Sequence, residues 1–311
     1  MDKPTILVIA GPTAAGKTAV SIAMAKRYGG EIVSCDSMQL YKYMTIGSAK
    51  PTKEEMGDVP HHMIDVIDPR EDFSVAVYQE MATKAIDDIL NRGKLPVICG
   101  GTGLYLNALL YDMDFGPSRR DDAYRQTLEA FADEHGNEAL HQRLQEADPS
   151  AAERIHPNNR KRVIRALEAA ERDGKPLQAF EQVRRKSDSY NARLLGVTWD
   201  RPTLYKRIDD RVDQMLKEGL EDEVRRLMEM GFTSDDIAMK GIGYKELLDC
   251  FAGLYPREEA IRLIKRNTRH YAKRQLTWFK RYEDMVWFNG SDYADTTDWL
   301  EDMYAWADRK S

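Results

Sequence analysis

The sequence predicts an α/β protein with a parallel sheet core and an all-helical insertion. Over the first 100 residues, short apolar runs alternate with helical patterns, which is typical of a parallel sheet. A charged segment with helical periodicity and almost no strand pattern then interrupts this alternation. We therefore expect a core at residues 1–118 and 190–311, with an inserted helical domain at 119–189.

Apolar runs and helix-capping signals locate the individual elements. The predicted strands are Thr5–Ala10, Glu31–Cys35, His62–Val66, Leu95–Cys99, Leu194–Trp199 and Met285–Phe288. The predicted core helices are Lys17–Tyr28, Ser74–Asn91, Thr203–Lys217, Glu221–Met230, Tyr244–Phe251 and Arg257–Lys280, with Ser74 as an N-cap. The insertion is predicted to contain helices at Asp122–Ala132, Asn137–Glu146, Ser150–Ile155 and Asn159–Arg172.

The turn between the first strand and the first helix carries the most specific motif. It consists of Gly11, Pro12, Thr13, Ala14, Ala15, Gly16, Lys17 and Thr18. This Gly-x-x-x-x-Gly-Lys-Thr spacing between a strand and a helix is that of a P-loop. Backbone amides and the helix N-terminus attract phosphate oxygens, Lys17 adds a full charge, and the Thr18 hydroxyl is placed to bind Mg²⁺. The motif predicts a P-loop NTPase-like core that binds a diphosphate group, with Mg²⁺ as cofactor.

The composition is that of a soluble globular protein. The chain has 311 residues, of which 42% are hydrophobic and 32% are charged. It shows neither a membrane-spanning apolar run nor a signal-peptide pattern. Its three cysteines are odd in number and far apart, which favours reduced residues over a metal site or disulfides. We expect a cytoplasmic monomer with no membrane partner.

The ends of two predicted strands carry candidate site residues. Asp36 directly follows the second strand, and the carboxyl ends of parallel strands face the ligand crevice. We expect this carboxylate near the P-loop, as a metal ligand or a base, although an Asx turn would also suit the position. The fourth strand ends at Gly100-Gly101, where a P-loop ATPase usually carries a carboxylate that organises Mg²⁺. This glycine ending argues against an ATPase.

Positive charge is concentrated in the C-terminal helix although the net charge is −6. Arg262, Arg266, Arg269 and Lys273 recur at helical spacing, and aromatic residues lie among them. The only acids within that helix are Glu258 and Glu259. This pattern favours contact with nucleic acid or phosphate over an ordinary solvated face.

Three shorter patterns remain ambiguous when each is taken alone. Arg211 follows two aspartates, so it could clamp a diphosphate or join an ion pair within its helix. Arg162 and Arg165 share one helix face, and that short run by itself favours a solvated surface. The pair His61-His62 lacks a third ligand at metal-binding spacing, which favours ordinary structural histidines.

Taken together, the motifs resemble the tRNA dimethylallyltransferase family, also called tRNA isopentenyltransferases. The matching segments are residues 11–18, 36–39, 61–65, 100–105, 159–168, 240–244 and 268–279. One departure is the pair Asn159-Arg160, where an acidic residue is expected after the asparagine. That departure bears on tRNA contact and not on chemistry.

The resemblance implies transfer of a dimethylallyl group from dimethylallyl diphosphate to N6 of adenosine 37 in the tRNA anticodon loop. The P-loop would hold the leaving diphosphate, a role that needs no Walker B carboxylate. Asp36 would orient the adenine amine and take its proton, with Thr13 close to the reacting atoms. Lys17, Arg211 and a Mg²⁺ ion on Thr18 would stabilise the departing diphosphate. The implied diphosphate-binding residues are Gly11, Pro12, Thr13, Ala14, Ala15, Gly16, Lys17, Thr18 and Arg211.

The resemblance also implies a set of tRNA contacts, because the target base must leave its stack to react. Asp36, Ser37, Met38, Gln39 and Thr102 would line the base pocket. Arg125 would contact tRNA from the start of the insertion. The anticodon stem-loop would be held by Lys161, Arg162, Val163, Ile164, Arg165, Lys240, Gly241, Ile242, Gly243, Tyr244, Lys245, Lys273, Arg274, Gln275, Thr277, Trp278 and Lys280.

Three other functions compete with this one. A small-molecule P-loop kinase shares the N-terminal pattern, but the missing strand-end carboxylate and the basic helix count against it. An adenylate isopentenyltransferase would perform the same chemistry on a free nucleotide, with little use for the insertion. A non-catalytic RNA-binding module would leave the P-loop and Asp36 without a purpose.

Overall fold

The core of the protein is a six-stranded parallel sheet, as a computed structural model shows. The structure describes residues 3–71, 73–113, 121–171 and 185–309. The strands are β1 Thr5–Ala10, β2 Glu31–Ser34, β3 His61–His62, β4 Pro96–Gly100, β5 Asn191–Thr198 and β6 Val286–Asn289. Their order across the sheet is β3-β2-β4-β1-β5-β6. The predicted α/β class with a parallel sheet is confirmed.

The helices flank the sheet or form a separate group. They are α1 Lys17–Tyr28, α2 Lys53–Met56, α3 Val75–Asn91, α4 Gly103–Leu110, α5 Asp122–Ala147, α6 Pro149–Arg154, α7 Arg160–Glu171, α8 Arg201–Lys217, α9 Leu220–Glu229, α10 Tyr244–Phe251, α11 Arg257–Phe279 and α12 Thr296–Asp308. Ser74 caps α3 as predicted, by accepting the Val77 N–H. Helices α2, α4 and α12 were not predicted from the sequence.

The third strand is shorter than predicted and begins earlier. The prediction was His62–Val66, but pairing with β2 stops at His62. Met63 and Asp65 follow with φ of 63° and 55°, in the left-handed region that a strand cannot use. Here the predicted run forms a partly buried loop and not a continuing strand.

The chain divides into two compact units. One comprises residues 1–110 and 187–311, and the other residues 111–186. In the second unit, the helical conformation of α5 is broken at Gly136 (φ 87°), so α5 consists of two helices, as predicted. Leu128, Leu144 and Val163 belong to the buried core of this unit. Residue 172, the predicted end of the last helix, lies outside the described residues.

Strand register brings the site-bearing loops to one edge of the sheet. Ala10 pairs with Gly100 on one side and with Gly196 on the other, and β2 pairs with β4 up to Ser34. The loops after β1, β2 and β4 therefore emerge next to one another. Their contact is close, because a Cβ on Gly100 would lie 2.0 Å from the Cys35 carbonyl oxygen. No helix in the described part of the chain is long and apolar enough to cross a membrane.

Candidate active site

The P-loop begins where β1 ends and continues directly into α1. Ala14 and Gly16 have φ of 62° and 102°, and this left-handed backbone curls the loop before the helix starts. A Cβ on Gly11 would lie 2.2 Å from the Val197 carbonyl oxygen, so only glycine fits there. The Lys17 ammonium donates a hydrogen bond to the Pro12 carbonyl oxygen at 2.8 Å. The predicted P-loop fold is thus confirmed in its local geometry.

The charges of Asp36 and Arg211 both act on Lys17. Burial lowers the pKa of its ammonium group. Asp36 and Arg211 act on that pKa in opposite directions, so both groups lie close to Lys17. The structure therefore brings these three predicted site residues together.

Asp36 both closes a turn and retains an uncommitted oxygen. Its Oδ1 accepts the Met38 N–H at 2.9 Å, which is the Asx turn considered above. Its Oδ2 has no hydrogen-bond partner among the described residues. The two interpretations are compatible, because the turn orients the carboxylate and leaves one oxygen for a ligand.

Arg211 is not part of the intrahelical ion pair that its sequence neighbours suggested. Asp209 pairs with Arg269 of α11, and Asp210 pairs with Lys206. Arg211 itself has no hydrogen-bonded or ion-paired partner in the described ranges. Burial lowers the pKa of its guanidinium, and this shift is opposed first by Glu55. Its charge is available to an anionic ligand.

Two side chains that sequence reasoning missed hold the P-loop backbone. Arg207 donates from Nε to the Ala14 carbonyl oxygen at 2.9 Å, and its guanidinium lies 4.5 Å from the Trp199 ring centroid. Trp199 donates from Nε1 to the Ala15 carbonyl oxygen at 2.9 Å. The available signal was spacing, since Arg207 lies four residues before Arg211 on the same helix face.

The loop after β2 meets the loop after β4 beside the P-loop. Thr102 Oγ1 accepts the Ser37 N–H at 3.0 Å. Tyr271 of α11 also lies here. Its hydroxyl interacts with Thr102, and the negative charge of Asp36 acts on it. Burial raises the pKa of this phenol. Tyr271 is a further site residue that was seen in the sequence only as one of several aromatics.

Other residues assigned to the base pocket have structural partners. Gln39 uses both ends of its amide, accepting from Ser34 Oγ at 2.8 Å and donating to the Ala49 carbonyl oxygen at 3.1 Å. Met38 packs against Gly241, where an added Cβ would lie 2.5 Å from the methionine Cε. The structure thus brings residues 36–39, 102 and 241 into one neighbourhood.

Several side chains assigned to tRNA contact are in the protein core, and that assignment needs correction. Val163 and Ile164 are buried in the core of the helical unit. Tyr244 is fully buried, and its hydroxyl donates to Glu223 at 2.7 Å. The resemblance marked continuous segments, whereas a helix exposes only one of its faces.

The basic stripe of α11 is partly neutralised by acids from another helix. Arg269 donates to both carboxylate oxygens of Asp209, at 2.6 and 2.7 Å. Lys265 lies 2.6 Å from Asp213, also on α8. Counting acids within α11 alone therefore overestimated its free charge. Lys273 and Lys280 are exposed and have no side-chain partner among the residues described.

In the helical unit, two of the predicted tRNA-contacting arginines share one buried carboxylate. Glu168 is 2% exposed and is bound by Arg125 at 2.7 Å and by Arg165 at 2.6 Å. Burial opposes ionisation of Glu168, but the two arginines outweigh it and lower its pKa. Lys161 and Arg162 are exposed, and within the described ranges their side chains have no partner.

Two remaining sequence features have structural explanations. Arg160, which departs from the family pattern, pairs with Asp133 of α5 at 2.7 Å. His62 lies 2.7 Å from the buried carboxylate of Glu31, and His61 contacts the Val59 carbonyl oxygen. The histidines thus have ordinary structural partners.

Comparison with known proteins identifies relatives along almost the whole chain. The family model described as IPP transferase matches residues 39–282, and the model described as isopentenyl transferase matches residues 4–66. The tRNA dimethylallyltransferase of Alkaliphilus metalliredigens is 50% identical over 294 residues, covering 94% of each chain. That of Acetivibrio thermocellus is 50% identical over 289 residues, covering 93% of this chain and 92% of its own.

Solved structures agree with these matches. The tRNA isopentenylpyrophosphate transferase of Bacillus halodurans is 46% identical with a TM-score of 0.74, covering 98% of this chain and 96% of its own. A eukaryotic dimethylallyltransferase acting on tRNA is 29% identical with a TM-score of 0.82, covering 97% of this chain and 77% of its own. The chain therefore belongs to the tRNA dimethylallyltransferase family, whose P-loop-like fold it shares.

Proposed function

We propose that this chain transfers a dimethylallyl group from dimethylallyl diphosphate to N6 of adenosine 37 in the tRNA anticodon loop. The observation that carries the proposal is the meeting of Lys17, Arg211 and Asp36 at the P-loop. This edge of the sheet offers two cations for a diphosphate and one carboxylate for a proton. The neighbouring strand β4 ends in Gly100, without the carboxylate that phosphoryl transfer usually employs.

The cations act on the leaving group. When the bond between the allylic carbon and the diphosphate oxygen breaks, its electron pair stays on the diphosphate. In this proposal Lys17 and Arg211 stabilise that growing charge, and their enclosed position strengthens the attraction. P-loop amides at the start of α1 add to the same field.

The carboxylate acts on the nucleophile. As the new bond forms between N6 and the allylic carbon, the amine must lose a proton. The free Oδ2 of Asp36 accepts that proton, while the hydrogen bond from Met38 N–H holds the carboxylate in place. Thr13, at the tip of the P-loop, lies next to the reacting groups in this proposal.

The residues fit a magnesium ion that is shared with the diphosphate. The Thr18 hydroxyl, in the first turn of α1, has no hydrogen-bond partner among the described residues. Mg²⁺ commonly takes one or two protein oxygens together with substrate phosphates and water. In the described part of the chain no group of three or more His, Cys, Asp or Glu side chains could hold a metal, which agrees with such sharing. When bound, the ion supplies further charge stabilisation.

The tRNA partner is proposed to contact exposed positive side chains of each unit. Lys161 and Arg162 offer them on α7. Lys273 and Lys280 offer them at the C-terminal end of α11. These lysines and arginines suit phosphate contacts along an anticodon stem.

Incubation with labelled dimethylallyl diphosphate and Mg²⁺, with either unmodified tRNA or free AMP, tests the proposal. Nucleoside analysis should find label at N6 of the anticodon-loop adenosine in the tRNA reaction alone. Label in AMP alone would instead identify a free-nucleotide enzyme. Absence of label together with ATP hydrolysis would identify a kinase-like enzyme and contradict the proposal.

A further inference from the structure

One buried side chain of α11 joins the P-loop to the loop that follows β4. Gln275 accepts the Thr13 N–H on Oε1 at 2.8 Å and donates from Nε2 to the Gly101 carbonyl oxygen at 2.9 Å. Gln275 is 5% exposed, so water does not compete for these bonds. Each end of the amide faces a backbone group of matching polarity, which fixes the orientation of the amide.

The Gln275 side chain is tightly packed against the loop that follows β4. A Cβ on Gly101 would lie 2.2 Å from Gln275 Nε2, so this position admits only glycine. One turn further along α11, the Trp278 indole packs on Gly103, where a Cβ would lie 2.2 Å away. These two contacts hold this part of α11 against the loop and leave the Gln275 amide little freedom.

The hydrogen bond to Thr13 also determines the orientation of the neighbouring carbonyl group. The Thr13 N–H and the Pro12 C=O belong to one planar trans peptide, so they point in opposite directions. The Pro12 oxygen accepts hydrogen bonds from the Lys17 ammonium at 2.8 Å and, at a longer distance of 3.3 Å, from the Ala15 N–H. Gln275 and Lys17 therefore hold opposite sides of a single rigid group.

We propose that Gln275 is a positioning residue that sets the Lys17 ammonium through the Pro12–Thr13 peptide. The inference rests on the proposed function in one respect, namely that Lys17 binds the diphosphate. Lys17 has no other side-chain hydrogen bond among the described residues. If the Gln275 acceptor is lost, the peptide is held only by the Lys17 ammonium and by the longer hydrogen bond from the Ala15 N–H, so it can tilt and displace the carbonyl oxygen that holds Lys17. The predicted role of Gln275 in contacting tRNA is replaced by one inside the diphosphate site.

A double-mutant cycle on diphosphate affinity tests this link. Calorimetry with inorganic diphosphate and Mg²⁺, without tRNA, would compare the full-length protein with Gln275→Met, Lys17→Met and the double variant. Gln275→Met keeps the length of the side chain but removes both hydrogen bonds, and should weaken binding about 10-fold. In the Lys17→Met background the same change should weaken binding by less than about 2-fold, because its effect passes through Lys17.

Asn267→Leu is the matched control. Asn267 lies on the same helix and also forms an amide bridge, donating from Nδ2 to Glu246 at 2.7 Å on α10. Loss of this hydrogen bond should leave diphosphate affinity within about 2-fold of the parent protein, since a contact of α11 with α10 does not touch the P-loop. A comparable loss of affinity in this variant would mean that any damage to α11 is sufficient, and would overturn the proposal.

Two further results would overturn it. One is an unchanged diphosphate affinity in Gln275→Met. The other is an equal loss of diphosphate affinity when Gln275→Met is made in the parent protein and in Lys17→Met. If Gln275→Met does not fold, Gln275→Leu replaces it, because leucine is smaller and also removes both hydrogen bonds. The same cycle with Lys17→Met then applies, and an equal loss of affinity in both backgrounds would contradict the proposal. These binding assays contain neither tRNA nor a prenyl group. They would therefore still test the role of Gln275 if the protein did not catalyse dimethylallyl transfer.

Discussion

The two units of the protein use enclosed positive charge in opposite ways. In the core unit, the charge of Arg211 acts on Lys17, and neither group has an ion-paired partner among the described residues. In the helical unit, Arg125 and Arg165 converge on the buried carboxylate of Glu168. All four cations were predicted to bind a ligand, yet only the first pair has its charge free.

Electrostatic cost explains what this difference means. An enclosed cation without a counter-charge loses hydration that the protein does not replace, so such an arrangement is maintained where a ligand supplies the missing anion. A cation that already shares a buried carboxylate is part of the structure, and removing the carboxylate damages stability. Substitution of Lys17 or Arg211 is therefore expected to reduce catalysis. Substitution of Arg125 or Arg165 is expected to reduce stability.

The largest effect is expected at Asp36, which completes the core group. Asp36→Asn keeps an oxygen for the Met38 N–H but cannot take a proton, whereas Asp36→Ala loses both functions. Single-turnover transfer should fall about 10²- to 10⁴-fold in both variants, with little change in tRNA affinity. A normal transfer rate in Asp36→Asn would mean that Asp36 is not the base and serves only to form the Asx turn.

Arg211→Gln should have the next largest effect, because this guanidinium has no ion-paired partner among the described residues. The single-turnover rate should fall about 10²- to 10³-fold, the usual result of removing one group that stabilises a developing anion. Arg225→Gln is the matched control, since Arg225 is exposed and pairs with Asp222. Equal rates for both variants would remove the distinction between free and paired arginines.

Glu168→Gln tests the helical unit and should reduce stability rather than chemistry. We expect the free energy of unfolding in urea to fall by about 2 kcal/mol, below the range for fully buried pairs because both arginines are partly solvated. Because the pKa of Glu168 is lowered, this contribution is present above the ordinary glutamate pKa and is lost as the pH falls through the lowered value. Glu80→Gln, at an exposed pair with Lys84, should leave the free energy of unfolding almost unchanged. Equal changes would contradict the comparison.

Arg162 and Arg165 allow an arginine with no partner among the described residues to be compared with a paired one within the same helix, α7. Arg162→Gln should weaken tRNA binding and reduce the slope of log K against log salt by about 1. Arg165→Gln should change that slope less and lower stability more, because its partner Glu168 is left buried. Filter binding over a range of salt concentrations measures the slopes. Identical slopes in both variants and in the parent protein would exclude α7 as a tRNA contact.

The smallest effect concerns the proton on Lys17. Burial lowers the pKa of free Lys17 below its ordinary value of 10.5, and a bound diphosphate should raise it again. Between these two pKa values, binding of inorganic diphosphate should take up a fraction of a proton. Calorimetry in two buffers of different ionisation enthalpy measures that uptake, and the signal should disappear in Lys17→Met. Uptake that persists in Lys17→Met would assign the proton to another group.

Local sequence signals were sufficient for the sheet and for the P-loop. The strands β1, β2, β4 and β5 each contain a short apolar run that is largely buried, and the Gly-Lys-Thr turn follows one of them directly. Position after a strand also placed Asp36 at the P-loop, because parallel strands end at a common edge. The helix α4 was missed since six of its eight residues are buried, which leaves no amphipathic period.

The sequence by itself determined which chemistry-bearing residues meet at the edge of the sheet, because motif spacing and strand order are local properties. Only the tertiary structure decided which charges remain free. Glu168 lies 43 residues from Arg125, and Asp209 lies 60 residues from Arg269. Spacing within one helix cannot reveal such partners, since ion pairs and the Gln275 bridge form between segments that come together only when the chain folds.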